Sequence, residues 1–146
     1  MPPKGLHESA VAAWLQASDR AAPAEEFVDH FEASFNAVWR RALETLSEIT
    51  LQAIGDRVLF LAARRFPPTA GITFGPTGIQ CAAVRKRGPH VPNSELEAGL
   101  CFVLAEFLHV LGSLTAEILT PALHRTLAET APTAPPSAES GDRGPS

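Results

Sequence analysis

The sequence predicts a mainly α fold: a small helical bundle of two long bent or broken helices and shorter ones, with a short β-hairpin inserted at about 72–84. Three observations predict it. Apolar residues recur every three or four positions over two long stretches, 27–49 and 96–118, which is the period of a helix with one buried face. No proline interrupts either stretch, although the chain has 13. One short alternation of apolar and polar residues surrounds Gly75-Pro76-Thr77-Gly78, the pattern of two strands about a turn. With 146 residues, 45% of them hydrophobic, the chain has material for a single core.

Residues 6–18 are expected to form a short helix with Leu6, Ala10, Ala13, Trp14 and Ala17 on one side. Ala21-Ala22-Pro23 separates this segment, 1–23, from a main body at 24–131. Pro23 with Glu25, Glu26 and Asp29 suits a helix start, because proline needs no amide partner there and acids favour the positive end of the helix. Behind it Phe27, Phe31, Phe35, Val38, Ala42, Leu46 and Ile49 fall on one stripe, with Asp29, Asn36, Arg40, Glu44 and Ser47 opposite. The next helix, about 51–66, sets Leu51, Ile54, Val58, Leu61 and Ala62 on one face and Phe60 on the other. Pro67-Pro68 ends it.

Ile72-Thr73-Phe74 and Ile79-Gln80-Cys81 then read as the hairpin, with a type I turn between them. So short a hairpin must lie on the helices or pair with another chain to be stable. Ser94-Glu95-Leu96-Glu97 is a capping box, in which the serine accepts an amide of the first turn and Glu97 reaches back. Leu96, Leu100, Val103, Leu104, Phe107, Leu111, Leu114 and Ile118 continue it as a second stripe. Thr120-Pro121 restarts the chain as a last helix, with Leu123 and Leu127 on its apolar face. Leu43–Leu59 matches Leu111–Leu127 without gaps at several leucines, which reads either as a duplicated pair of bent helices or as coincidence in a leucine-rich chain. From Pro132 to Ser146 no hydrophobic residue larger than alanine occurs, so 132–146 is expected to remain a disordered tail.

Unbroken apolar runs reach only the length of Val58–Ala63, short of the roughly 20 residues of a membrane helix. The first residues lack the apolar core of a signal peptide. Two cysteines, Cys81 and Cys101, are too few for a disulfide framework, and a reducing cytoplasmic setting is expected. The formal charge of −4 argues against a nucleic-acid binder.

Catalytic patterns are missing. Glu106 and His109 have the Glu-x-x-His spacing of a di-iron ligand pair, but they lie opposite the apolar stripe, and Glu26 and His30 do not supply a second copy. His7, His90 and His124 form no pattern with the cysteines that resembles a zinc site. Ser47 and Ser113 follow no strand into a nucleophile elbow, and no glycine-rich phosphate loop occurs.

Charge distribution carries more information. Residues 57–94 hold Arg57, Arg64, Arg65, Arg85, Lys86 and Arg87 and no acid, while the flanking helices hold most of the acids. Arg64, Arg65, Arg85, Lys86 and Arg87 therefore form a candidate surface for an acidic partner. Phe60 and Phe102, on nominally polar faces, are candidates for a covered interface. The expected function is that of a non-catalytic cytoplasmic regulatory or adaptor module acting through protein–protein interaction as a homodimer. The alternative is a small-molecule sensor in which Phe27, Phe31, Phe35 and Trp39 line a pocket. No enzymatic activity, cofactor, metal or membrane partner is expected.

Overall fold

The computed structural model describes residues 6–17, 24–75, 78–82 and 93–130. In chain order these form helices α1 (Leu6–Ala17), α2 (Ala24–Ala42) and α3 (Glu48–Arg65), a single 3-10 turn (Pro67–Thr69), strands β1 (Thr73–Gly75) and β2 (Gly78–Gln80), and helices α4 (Asn93–Leu114) and α5 (Thr120–Thr130). The protein is a mainly α bundle with a small antiparallel hairpin. The tail at 132–146, the cluster Arg85, Lys86 and Arg87, and the turn residues Pro76 and Thr77 lie outside the described residues.

The two stripes build the centre. Phe27, Val28, Phe31, Phe35, Val38 and Trp39 of α2 are buried, as are Leu96, Leu100, Val103, Leu104, Phe107, Leu108 and Leu111 of α4. Burial of this apolar surface drives the assembly, at about 25 cal/mol per Å². Residues Ser94–Leu114 are also long and apolar enough to cross a membrane by length and composition, a property of the whole helix that the short unbroken runs conceal. Half of that window is buried inside the fold.

Both stripes continue in the sequence beyond the ends of their helices. The first predicts one helix running to Ile49, whereas α2 stops at Ala42. Ser47 starts α3 instead, its Oγ accepting the Thr50 amide at 3.1 Å. The second stripe reaches Ile118, but α4 stops at Leu114. Ala116 and Glu117 there take positive φ, 53° and 64°. The Glu117 amide donates to Gly112 O at 2.7 Å and the Ala116 amide to Ser113 O at 3.4 Å, the paired bonds of a Schellman stop. Leu43, Ile49, Leu114 and Ile118 are consequently exposed at the two breaks. The breaks also fall at different places in the matched windows, since the ungapped match sets Leu114 against Leu46. The repeated leucines therefore do not occupy equivalent positions.

The buried face of α1 is rotated from the one predicted. It is His7, Val11 and Trp14, while Ala13 and Ala17 are exposed. These three stand at i, i+4 and i+7, a helical face with a histidine at one end. The helix packs on α4 and α5, and Val11 and Trp14 belong to the same core as α2 and α4.

The hairpin pairs Thr73 with Gln80, Phe74 with Ile79 and Gly75 with Gly78. Its backbone is held by side chains of α2. Asn36 Oδ1 accepts the Ile79 amide at 2.7 Å and Asn36 Nδ2 donates to Ile79 O at 3.5 Å. Glu32 Oε2 accepts the Cys81 amide at 2.9 Å. Asn36, on the polar side of the helical projection, thus faces the hairpin rather than water. From β1, Phe74 stacks on Trp39, centroids 5.0 Å apart, and its ring occupies the space where a Cβ on Gly55 of α3 would stand. These contacts give the hairpin the support it lacks alone.

Candidate functional site

The residues singled out from the sequence fall into separate places. Phe27, Phe31, Phe35 and Trp39 fill the core: Phe31 lies 5.8 Å from Phe35, Phe35 4.6 Å from Phe107, and Trp39 6.0 Å from Phe107. These rings pack on each other, which is the ordinary role of an aromatic row on a buried helix face. The Trp39 Nε1 is buried without a hydrogen-bond partner among the described residues.

Phe102 is half-buried, 5.5 Å from the Phe66 ring and beneath the Arg65 guanidinium at 4.9 Å. The layer covering it is therefore its own chain. Phe60 is different, 57% exposed, with the Arg64 guanidinium 5.6 Å from its ring. The two arginines are exposed and stacked on aromatic faces, an arrangement that holds a charge in place without an acidic partner.

A second arrangement draws on residues that spacing does not connect. The ring of His7, buried on α1, uses both nitrogens. Its Nδ1 lies 2.9 Å from His124 Nε2 on α5, and its Nε2 lies 3.2 Å from Glu117 Oε1 in the α4–α5 turn. Thr120 Oγ1 donates a short hydrogen bond to the same Glu117 oxygen. His109 of α4 completes the group, its ring centroid 6.1 Å from that of His7. The positive φ at Glu117 carries its carboxylate to this point, and Gly112 makes room, since a Cβ there would stand 2.5 Å from Glu117 Oε1 and 2.8 Å from His7 Nε2. The one signal in the sequence for this site was His7 at the head of the His7, Val11, Trp14 face.

The electrostatics follow from these contacts. The Thr120 hydroxyl, with the His7 and His109 charges, holds the Glu117 carboxyl below the usual glutamate range against a smaller opposing effect of desolvation. Burial pushes His124 below the ordinary histidine value, the neighbouring His7 charge adds to this, and Glu117 opposes it. The group is a chain rather than a cage: His7 meets Glu117 and His124 through opposite ring nitrogens, so the donors do not converge on one point. Among the described residues no set of three or more His, Cys, Asp and Glu is arranged to hold a metal ion. What the chain can do chemically is hold protons and anchor α1.

A second histidine supports α1 at its other end. His30 of α2 stacks on Trp14 with centroids 5.1 Å apart and planes within 9°. The indole Nε1 donates to Ser34 Oγ at 2.9 Å. Burial lowers the pKa of His30, whose Nε2 has no partner among the described residues. His30 and His124 are thus both favoured as neutral rings. The unfolded chain takes up protons at these two positions before the fold does, so stability is full above about pH 6.5. It falls as the pH drops below that value and levels once the folded pKa values are passed. Urea midpoints at pH 7.5, 6.5 and 5.5 should fall in that order; equal midpoints would contradict the assignment.

No family model, curated protein or solved structure matches the chain.

Proposed function

We propose that the protein is a non-catalytic cytoplasmic regulatory or adaptor module that works by association, pairing with a second copy of itself through the outer face of α3 and engaging a protein partner in that form. The observation that carries this reading is the exposure of two large apolar side chains on one helix face. Ile49 is 83% and Phe60 57% exposed. Eleven positions apart, they lie on one line about 16 Å long. Exposed Ala53 and Asp56 lie between them, with Arg57 and Arg64 at the edge.

The face is complementary to itself. Two antiparallel copies of α3, related by a two-fold axis passing between Asp56 and Arg57, set Phe60 of each at the level of the small Ala53 of the other. The same operation brings Asp56 to the level of Arg57 and Ile49 to that of Arg64. A ring opposite a small residue and an acid opposite a base are what an isologous interface requires. Arg64 and Arg65, outside that pairing of Asp56 with Arg57, suit an acidic surface on a further partner.

Phe60→Glu tests the pairing. The substitution places a charge opposite Ala53 of the second copy without touching the core, so helicity should be retained. Light scattering should then report 15.5 kDa for the variant and twice that for the parent protein. A parent protein of 15.5 kDa, or a variant with undiminished mass, would sink the reading.

A further inference from the structure

Four histidines lie within the described residues, and all four lie on α1 or against it. His7 belongs to the helix, His124 is hydrogen-bonded to it, His109 flanks it, and His30 stacks on Trp14 at the other end of α1. We propose that α1 is a proton-released strap: mild acidification detaches it from α2, α4 and α5 while the rest of the bundle stays folded, uncovering the apolar surface beneath it.

The argument rests on counting protons in the chain from Glu117 to His124. One proton on His7 Nε2 serves Glu117, and one proton serves the contact between His7 Nδ1 and His124 Nε2. That arrangement exists with both rings neutral and also with one extra proton shared by the pair. With two extra protons each ring carries a hydrogen on both nitrogens, and two N–H groups point at each other across 2.9 Å. The contact must then open. The groups that bear on this pair are Glu117 from the turn and His109 from α4; Glu117 favours the first extra proton, and a charged His109 opposes further ones.

The other anchor responds in the same direction. Protonating His30 puts a charge and a further N–H into a partly buried site where, among the described residues, Nε2 has no acceptor, a desolvation cost that the contact of the charged ring with Trp14 offsets only in part. Trp14 also lies 5.8 Å from Phe27 and 6.4 Å from Phe31, so lifting α1 exposes those two rings on α2. The surface released is apolar and separate from the outer face of α3.

Amide hydrogen exchange on the intact protein tests the strap, with rates at pH 7.5 and 5.5 corrected for intrinsic exchange. Protection of residues 6–17 should fall at least tenfold at the lower pH, while α3 retains its protection. The double variant His30→Phe/His124→Gln keeps a ring against Trp14 and a hydrogen-bonding group against His7, but neither residue takes up a proton. Its α1 protection should be the same at both pH values. Equal protection of α1 at both pH values in the parent protein would overturn the proposal, and so would a parallel loss in α1 and α3, or a pH response undiminished in the double variant.

Discussion

Trp14→Ala should destabilise the protein by about 3–5 kcal/mol, the range for removing a large buried aromatic side chain. Trp14 is 2% exposed and reaches from α1 into the core, where its ring meets Phe27, His30 and Phe31 and its N–H meets Ser34. Few other side chains hold α1 in place; among the described residues of the helix His7 and Val11 are the remaining buried ones. The loss should therefore appear in α1 first, as exchange of its amides, and in the urea midpoint of the whole domain. Trp14→Phe separates the two roles of the side chain. It keeps a six-membered ring but loses the rest of the indole and the donor to Ser34, so it should cost less than Trp14→Ala and more than the about 1 kcal/mol of the hydrogen bond alone. If Trp14→Ala costs under about 1 kcal/mol, α1 does not belong to the cooperative core.

Phe107→Ala should be of similar size, about 3–5 kcal/mol, for a different reason. Its ring is fully buried and lies 4.6 Å from Phe35, 6.0 Å from Trp39 and 6.5 Å from Phe74. It is the place where α4, α2 and the hairpin meet. A cavity there removes one of the rings packed around Phe74 and undercuts Trp39 and Phe35, which hold it, so the hairpin should loosen along with the global loss. Phe60→Ala provides the contrast: made in the Asp56→Arg background, expected to be a single chain with more than half of the ring in water, it should change stability by no more than about 0.5 kcal/mol. Chemical denaturation of the two variants side by side separates a core aromatic from an exposed one. Comparable losses would show that Phe60 is buried within its own chain.

The mainly α architecture and its central helices were legible because helical periodicity is local. Phe31, Phe35 and Phe107 announce their burial by their spacing alone. The ends of those helices were not legible in the same way. Leu46 and Ile49 continue the period of the α2 stripe across a break set by Ser47, and Leu114 and Ile118 do the same across the turn at Ala116 and Glu117. Periodicity reports which residues share a face, and a cap can end the helix without disturbing it. Asn36 stands opposite the apolar stripe, and helical projection shows only the polarity of a side; the polar side of α2 carries the hairpin.

The histidine chain was hidden for a stronger reason. His7 and Glu117 meet only after α1 has packed on α4 and α5, and Glu117 points at His7 only because its own backbone is left-handed. Neither condition leaves a trace in residue spacing. The pair Glu106 and His109, by contrast, had a recognisable spacing, yet only His109 lies near the group, at its edge. Phe60 was legible as an apolar residue on the wrong face, and it stayed exposed. Phe102 gave the same signal, but Phe66 and Arg65 of its own chain cover it.

Association through α3 is the central claim, and its register can be tested by exchanging the charges at the two-fold axis. Light scattering should report twice 15.5 kDa for the parent protein, 15.5 kDa for Asp56→Arg, in which four arginines face one another, and twice 15.5 kDa again for Asp56→Arg/Arg57→Asp. A mass that is the same for all three proteins, whether one chain or two, would contradict the pairing.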